Sequence, residues 1–492
     1  MKNLLLTLLV GFSFIFFACT KQNVITDSSA ALTLKTDTLT FDTVFTDIGS
    51  TTLSFKIHNS HNQAINVSNI DLAGGENSQF RLNINGAAIN SGTDYLIGAK
   101  DSMYIHVEVT VDPTNEDLPF IIKDSVVFST NGNSQKVILI AYGQNANYYN
   151  AQVIGDTNWS ANRPYLIYNS ILVDSGQTLT IEEGCQLHFH KNSRLYVRGT
   201  LVVNGTLENP VIFRHDRLEA MYDDIAGQWD GIHFLKGANQ SYINHAIIEN
   251  AIVGIRVDSL PVIGNGQVEY NTRPGIYDSL NIIPNVLVEN TTIKNISTSG
   301  LIGITAVVEM KNSLIYNCGQ HNVQLEFGGT YDFDFCSFVN YSTNSTVGHS
   351  NPILRMANYF GSATSGIQVA SNFDANFTHC IIDGSNEDEI EIDSIGFPSS
   401  QFKYVFQNSL IKYSEAKIDS NRLIDALINE DPMFTAIYED DYTLQETSPC
   451  IDAGNKYIGA SIYHDGAIRL DLFGNDRFQG ILVDIGAYEK PQ

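Results

Sequence analysis

The chain is poor in positive charge. Its 28 lysines and arginines face 54 aspartates and glutamates, a net of −26 over 492 residues. Such a surface repels nucleic acid and anionic lipid headgroups, so neither is expected as a partner. Charged residues of both signs make up only 17% of the chain, which suits an extended β architecture with many polar turns. Long apolar runs are missing after the first 19 residues, and nothing there approaches the roughly 18 residues a membrane span needs. Cysteine is scarce, and the five that follow Cys19 (Cys185, Cys318, Cys336, Cys380 and Cys450) are odd in number and lack zinc-site spacing. The chain also contains no phosphate loop, no nucleophile elbow, no His-Glu-x-x-His and no dinucleotide fingerprint. No catalytic residue is assigned, and no cofactor is expected apart from calcium, which stays open.

What is present is a repeat. Ala246-Ile247-Ile248-Glu249-Asn250, Thr291-Thr292-Ile293-Lys294-Asn295, Ser313-Leu314-Ile315-Tyr316-Asn317, Cys336-Ser337-Phe338-Val339-Asn340 and Cys380-Ile381-Ile382-Asp383-Gly384 end at intervals of 45, 22, 23 and 44. The long intervals read as two periods each, and Asn271 nearly halves the first. A fixed period near 22 means stacked coils. Two-residue alternation turns positions one, three and five inward. Asn and Gly tolerate a left-handed backbone, so position five marks a tight corner. The expected ladder is Asn250, Asn271, Asn295, Asn317 and Asn340. Cys336 and Cys380 then lie two coils apart, about 9–10 Å, which is beyond disulfide reach.

The ladder resembles that of right-handed parallel β-helices. The succession Ser175-Gly176-Gln177-Thr178-Leu179-Thr180-Ile181-Glu182-Glu183-Gly184, Leu195-Tyr196-Val197-Arg198-Gly199-Thr200-Leu201-Val202-Val203-Asn204-Gly205 and Trp229-Asp230-Gly231-Ile232-His233-Phe234 is similar to the first coils of many bacterial members. Residues 150–428 are assigned to this pectin-lyase-like fold, in roughly 12 coils. Leu218 to Gly227 and Ser362 to Phe377 break the period and are expected as side loops. Residues 33–146 alternate in short strands, as an Ig-like β-sandwich does. Leu39-Thr40-Phe41-Asp42-Thr43-Val44-Phe45 and Val109-Thr110-Val111-Asp112-Pro113 make this module similar to Ig-like domains of the ASPM/SPD-2/Hydin type in Bacteroidetes surface proteins. Residues 429–492, with Ser448-Pro449-Cys450-Ile451-Asp452-Ala453-Gly454 and Val483-Asp484-Ile485-Gly486-Ala487-Tyr488-Glu489, resemble the C-terminal region of secreted β-helix proteins. That region is expected to cap the exposed sheet edge. The fold class is therefore all-β: sandwich, right-handed parallel β-helix, C-terminal cap.

Residues 1–19 resemble a bacterial lipoprotein signal: a short positive start, an apolar run from Leu4 to Phe17, then Phe16-Phe17-Ala18-Cys19. The resemblance implies lipidation of Cys19, an outer-membrane address facing either side, and membrane contact through lipid only. Residues 20–32 read as a tether. A monomer is expected.

Three weaker clusters bear on chemistry. His188 and His190 share the outer face, with His215 about one coil later, a thin metal or substrate signal. Asp388, Glu389, Glu391 and Asp393 form a carboxylate run able to hold calcium or simply to face solvent. Asp452, Asp471 and Asp484 sit beside glycines and suit turn formation. Two functions follow. One is a non-catalytic envelope protein binding a polysaccharide or another cell-surface partner on the β-helix flank. The alternative is a polysaccharide lyase or glycoside hydrolase acting on that flank.

Overall fold

The computed structural model describes residues 23–238, 240–259, 285–343, 346–362, 367–396, 401–414, 418–455 and 469–491. Cys19 and Asn271 lie outside them. The chain divides into two units, one ending at Asn145 and the other running from Ala146.

The first unit is a β-sandwich of a six-stranded and a five-stranded sheet. Its strands bury alternate residues: in Ser102–Val109, Met103, Ile105, Val107 and Val109 point inward, as a sheet with one wet face requires. The expected tether is partly built into this unit. Val24–Ile25 pairs with Ala64 and Ile65. Ala30 and Leu32 belong to its core. Two-residue edge pairings leave no alternation long enough to read in the sequence.

The second unit is a right-handed parallel β-helix whose 26 strands form one sheet. Its coils begin at Asn147–Ile154, slightly before the expected start. Each coil has three faces. The first includes Gln186–Phe189, Val211–His215, Ala246–Glu249, Thr292–Ile296, Leu314–Cys318, Ser337–Asn340 and Ile381–Gly384. The second includes Arg194–Val197, Gly231–Phe234, Ile255–Asp258, Leu354–Ala357 and Ile390–Asp393, with the first halves of Leu301–Lys311 and Val323–Asp334 between them. The third includes Thr200–Asn204, Ser241–Asn244, Val286–Glu289, the second halves of those two long strands, Phe373–Thr378 and Phe402–Gln407. Inward residues stack from rung to rung: Phe377 lies 4.9 Å from both Phe333 and Phe406, nearly parallel to each.

The register corrects the coil count. Glu249 pairs directly with Lys294, and Val339 with Asp383. The intervals of 45 and 44 are therefore single coils enlarged by insertions, and the third face has ten rungs among the described residues, not twelve. It follows that Cys336 and Cys380 occupy adjacent rungs.

The C-terminal region also differs from expectation. Its described part lies along the flank of the first face, where outward Leu314, Tyr316, Val339, Ile381 and Leu410 form one core with Phe434, Tyr442, Leu444, Cys450, Leu472, Ile485, Ala487 and Tyr488. An outward face this apolar needs covering, which is the physical reason for the placement.

Candidate ligand-binding flank

The corners decide where a ligand can lie. From third to first face the turn is short, and its left-handed residues are His245, Asn290, Asn312, Phe335, His379 and Asn408, with φ between 46° and 52°. The other two corners carry the insertions. Segments 216–230 and 385–389, with the described parts of 341–353, follow the first face; the described parts of 358–372 and 394–401 follow the second. The second face thus lies between the two corners that carry insertions, while the described part of the C-terminal region occupies the first.

The second face presents a polar row. Register aligns Tyr196, His233 and Arg256 on consecutive rungs, then Ile302, Gln324, Arg355 and Glu391. Two residues along, Asp258, Ile304, Glu326, Ala357 and Asp393 form a second column. His233 Nε2 lies 2.7 Å from Asp258 Oδ2, which also accepts Arg256 Nε at 2.9 Å. These two partners hold the Asp258 carboxyl below the usual range against the opposing effect of burial, which is the largest single influence. Arg355 is a hub: its Nε donates to Glu326 at 2.8 Å and its Nη atoms reach Glu391 and Asp393. Tyr359, on the hairpin of Tyr359–Ser362 with Ile367–Ala370, donates to Asp393 at 2.8 Å. At the row's start Arg194 pairs with Asp230 and lies over the Tyr196 ring. Beside it, His190 stacks on Tyr168 at 4.1 Å, and Tyr168 lies 5.3 Å from half-exposed Tyr148.

A strongly perturbed carboxylate lies on the third face, at its corner with the first. Burial, then Asp332, pushes Asp334 up to about 7, and Lys311 and Thr378 only partly oppose them. Glu309 and Glu289 lie 3.4 and 4.0 Å from Lys311 Nζ, and Asn376 donates to Asp332 at 2.7 Å. Asp334 is itself buried, at 7% exposure.

The sequence-derived metal candidates are not brought together. His188 is buried, with Nδ1 3.0 Å from the His215 carbonyl, and burial lowers both imidazoles to about 4. His215 pairs in register with Phe189, so it faces inward, not outward. His190 is held by Asp216 at 2.7 Å. The acidic run scatters. Asp388 accepts from Ser414 N, and Glu391 and Asp393 bind Arg355. Glu389 is fully buried and paired with His349 at 2.9 Å. Among the described residues no three His, Cys, Asp or Glu side chains form a metal-holding group. Only Glu391 and Asp393 lie on the strand Ile390–Asp393; two residues apart, they face the same way and are taken by Arg355, while Asp388 and Glu389 precede the strand. Asp471 and Asp484 cap backbone amides, Asp471 those of Phe473, Asn475 and Glu489.

The ladder positions share one stack by register. Asn250, Asn295 and Asn317 have φ of 63°, 54° and 52°. Asn317 Nδ2 donates to Asn295 Oδ1 at 3.3 Å, and Asn340 Nδ2 to the Cys318 carbonyl at 2.7 Å. Sequence reasoning missed the second ladder, in which Asn290 donates to Asn244 at 2.7 Å, Asn312 to Asn290 at 2.6 Å and Arg477 to Asn312 at 2.6 Å. It also missed the Arg355 hub.

No protein-family model matches the chain. Over 141 residues it is 30% identical to the protein bark beetle of Drosophila melanogaster, a match covering 26% of this chain and only 4% of that protein. Among solved structures, the catalytic unit of a GH87 α-1,3-glucanase from Streptomyces thermodiastaticus is similar at 10% identity and a TM-score of 0.32, over 73% of this chain and 74% of the other. An ASH/PapD-like domain of human CEP192 is similar at 9% identity and a TM-score of 0.17, over 26% of this chain and 91% of that one. A family 123 glycoside hydrolase from Clostridium perfringens matches at 11% identity and a TM-score of 0.17, over 25% and 26% of the two chains.

Proposed function

We propose that the second face of the β-helix binds a polysaccharide without cleaving it. The supporting observation is the row from Arg194 to Asp393, in which guanidinium, imidazole and carboxylate groups are already paired with one another. Fixed, charge-assisted donors and acceptors bind hydroxyl groups at little ordering cost. Aromatic rings at its start offer apolar surface to the flat faces of sugars. Cleavage would require a carboxylic acid kept protonated opposite an ionised one. Within this row Asp258 is held ionised, and Glu326, Glu391 and Asp393 share one arginine.

A specific observation favours the hydrolytic alternative: Asp334, raised to about 7, stands on one strand with Asp332. Its burial argues against access by a polymer. A polysaccharide panel, with and without calcium, separates the readings. Retention without new reducing ends or unsaturated products is expected. Arg355→Ala should weaken retention about tenfold or more, since it leaves three carboxylates without their shared partner. Turnover lost in Asp334→Asn would overturn the binding reading.

Attachment through Cys19 at the outer membrane belongs to the same proposal and is supported by the signal-like start of the chain. Labelling with a fatty-acid analogue should fail in Cys19→Ser; equal labelling of both chains rules it out.

A further inference from the structure

Cys336 and Cys380 are 44 residues apart in sequence and one rung apart in space, because Ser337 pairs directly with Ile381. Parallel neighbours in register have Cα atoms at about strand spacing, ~4.8 Å, inside the range disulfides occupy. Both thiols point into the same interior, Cys336 Sγ 3.4 Å from the Asp334 carbonyl and Cys380 Sγ 3.4 Å from the Phe333 carbonyl on the same strand. Both thiols are free and fully buried. Cys185, Cys318 and Cys450 have no cysteine on the paired rung, so no other pair competes.

The backbone flanking both cysteines is also fastened from outside. Gly486 N donates to the His379 carbonyl at 2.8 Å, and Ala487 N to Ser337 Oγ at 3.0 Å. The C-terminal segment therefore lies across the residue before one cysteine and the residue after the other. In the closed coil, burial holds the Cys380 thiol well above its ordinary value, and an un-ionised thiol does not exchange. Both sulfurs face the interior of the coils, where they bond the Met310 and Phe333 carbonyls, so they are adjacent and reachable only while the rungs around them are still assembling.

We propose that Cys336 and Cys380 are a latent inter-rung disulfide, formed before the coil interior closes around them. Each thiol gives up one proton and one electron as the S–S bond forms. A small-molecule or protein disulfide of the thiol-exchange class accepts both and is reduced to two thiols. The crosslink would close the coil containing segments 341–353 and 358–372, both of which border the second face. Constraining that enlarged loop in the unfolded chain stabilises the folded one.

The test uses the full chain, unfolded in guanidinium and refolded with reduced and oxidised glutathione. It is then denatured, alkylated and digested without reduction for mass spectrometry. The expected result is a peptide linking Cys336 to Cys380, with Cys185, Cys318 and Cys450 alkylated. Refolded this way, the protein should melt roughly 5 °C or more above the reduced form. Protein folded under reducing conditions, then oxidised with glutathione disulfide, should stay unlinked. Alkylation of both cysteines after oxidative refolding, or linkage of either to a third cysteine, overturns the proposal. The linked peptide is read on the unsubstituted chain, so the result does not depend on a variant folding; Cys380→Ala serves only to confirm the assignment.

Discussion

At the scale of single residues, two side chains carry testable energetics. Asn317 is buried, left-handed at φ 52°, and bonded to Asn295 and Thr343. Leucine loses those bonds, strands Asn295 Oδ1 without its donor and dislikes that backbone. Asn317→Leu should therefore cost about 2–4 kcal/mol, read as a lower denaturation midpoint with unchanged m-value. An unchanged midpoint would count against the ladder. Asp334 sets a pH dependence. Its folded value, about 7, lies above the ordinary 3.8. The folded state thus binds the proton more tightly, and this contribution is complete below about pH 4 and lost as pH rises through 7. Up to about 4 kcal/mol is at stake. Melting between pH 5 and 8 should show the wild type falling more than Asp334→Asn; parallel curves would contradict the burial argument. Asn317 was legible in the sequence because its stack holds one residue type. The other corner was not, because His245, Asn290, Asn312, Phe335 and His379 share a backbone angle and no chemistry.

At the scale of elements, the chief misreading came from insertion length. An added segment about as long as one coil looks like an extra period, so the intervals of 45 and 44 mimic two coils. The same insertions hid the second-face row: Gln324 and Arg355 are paired neighbours, yet 31 residues apart. The C-terminal segment was recognisable by motif, but its placement depended on the outward apolar residues of the first face, which a strand pattern buried on both sides does not distinguish from core. Arg477 fastens it, fully buried 4.3 Å over the Phe335 ring and bonded to Asn312 and the Gly486 carbonyl. Removing residues 469–492 should uncover Leu314, Tyr316, Val339, Ile381 and Leu410 in part. The truncated chain is expected to bind a hydrophobic dye and to aggregate at lower temperature while keeping its β-sheet circular dichroism. No gain in dye binding would mean that Phe434, Tyr442 and Leu444 suffice as cover.

At the scale of the whole molecule, the two units have separate cores. One runs from Ala30 to Ala141 and the other from Ile154 to Ile418, with no residue in common. The sandwich pairs all its strands among residues 24–144, whereas every rung of the β-helix depends on the rung beside it. Cooperative unfolding follows core continuity, so the chain should melt in two calorimetric transitions rather than one. Residues 23–145 expressed alone should reproduce one of them, and residues 146–492 the other. If ligand retention belongs to the second face, it should travel with residues 146–492 undiminished and be absent from the sandwich. A single transition shared by both fragments and the full chain, or retention that requires residues 23–145, would show that the sandwich contributes to binding or stability beyond its own core.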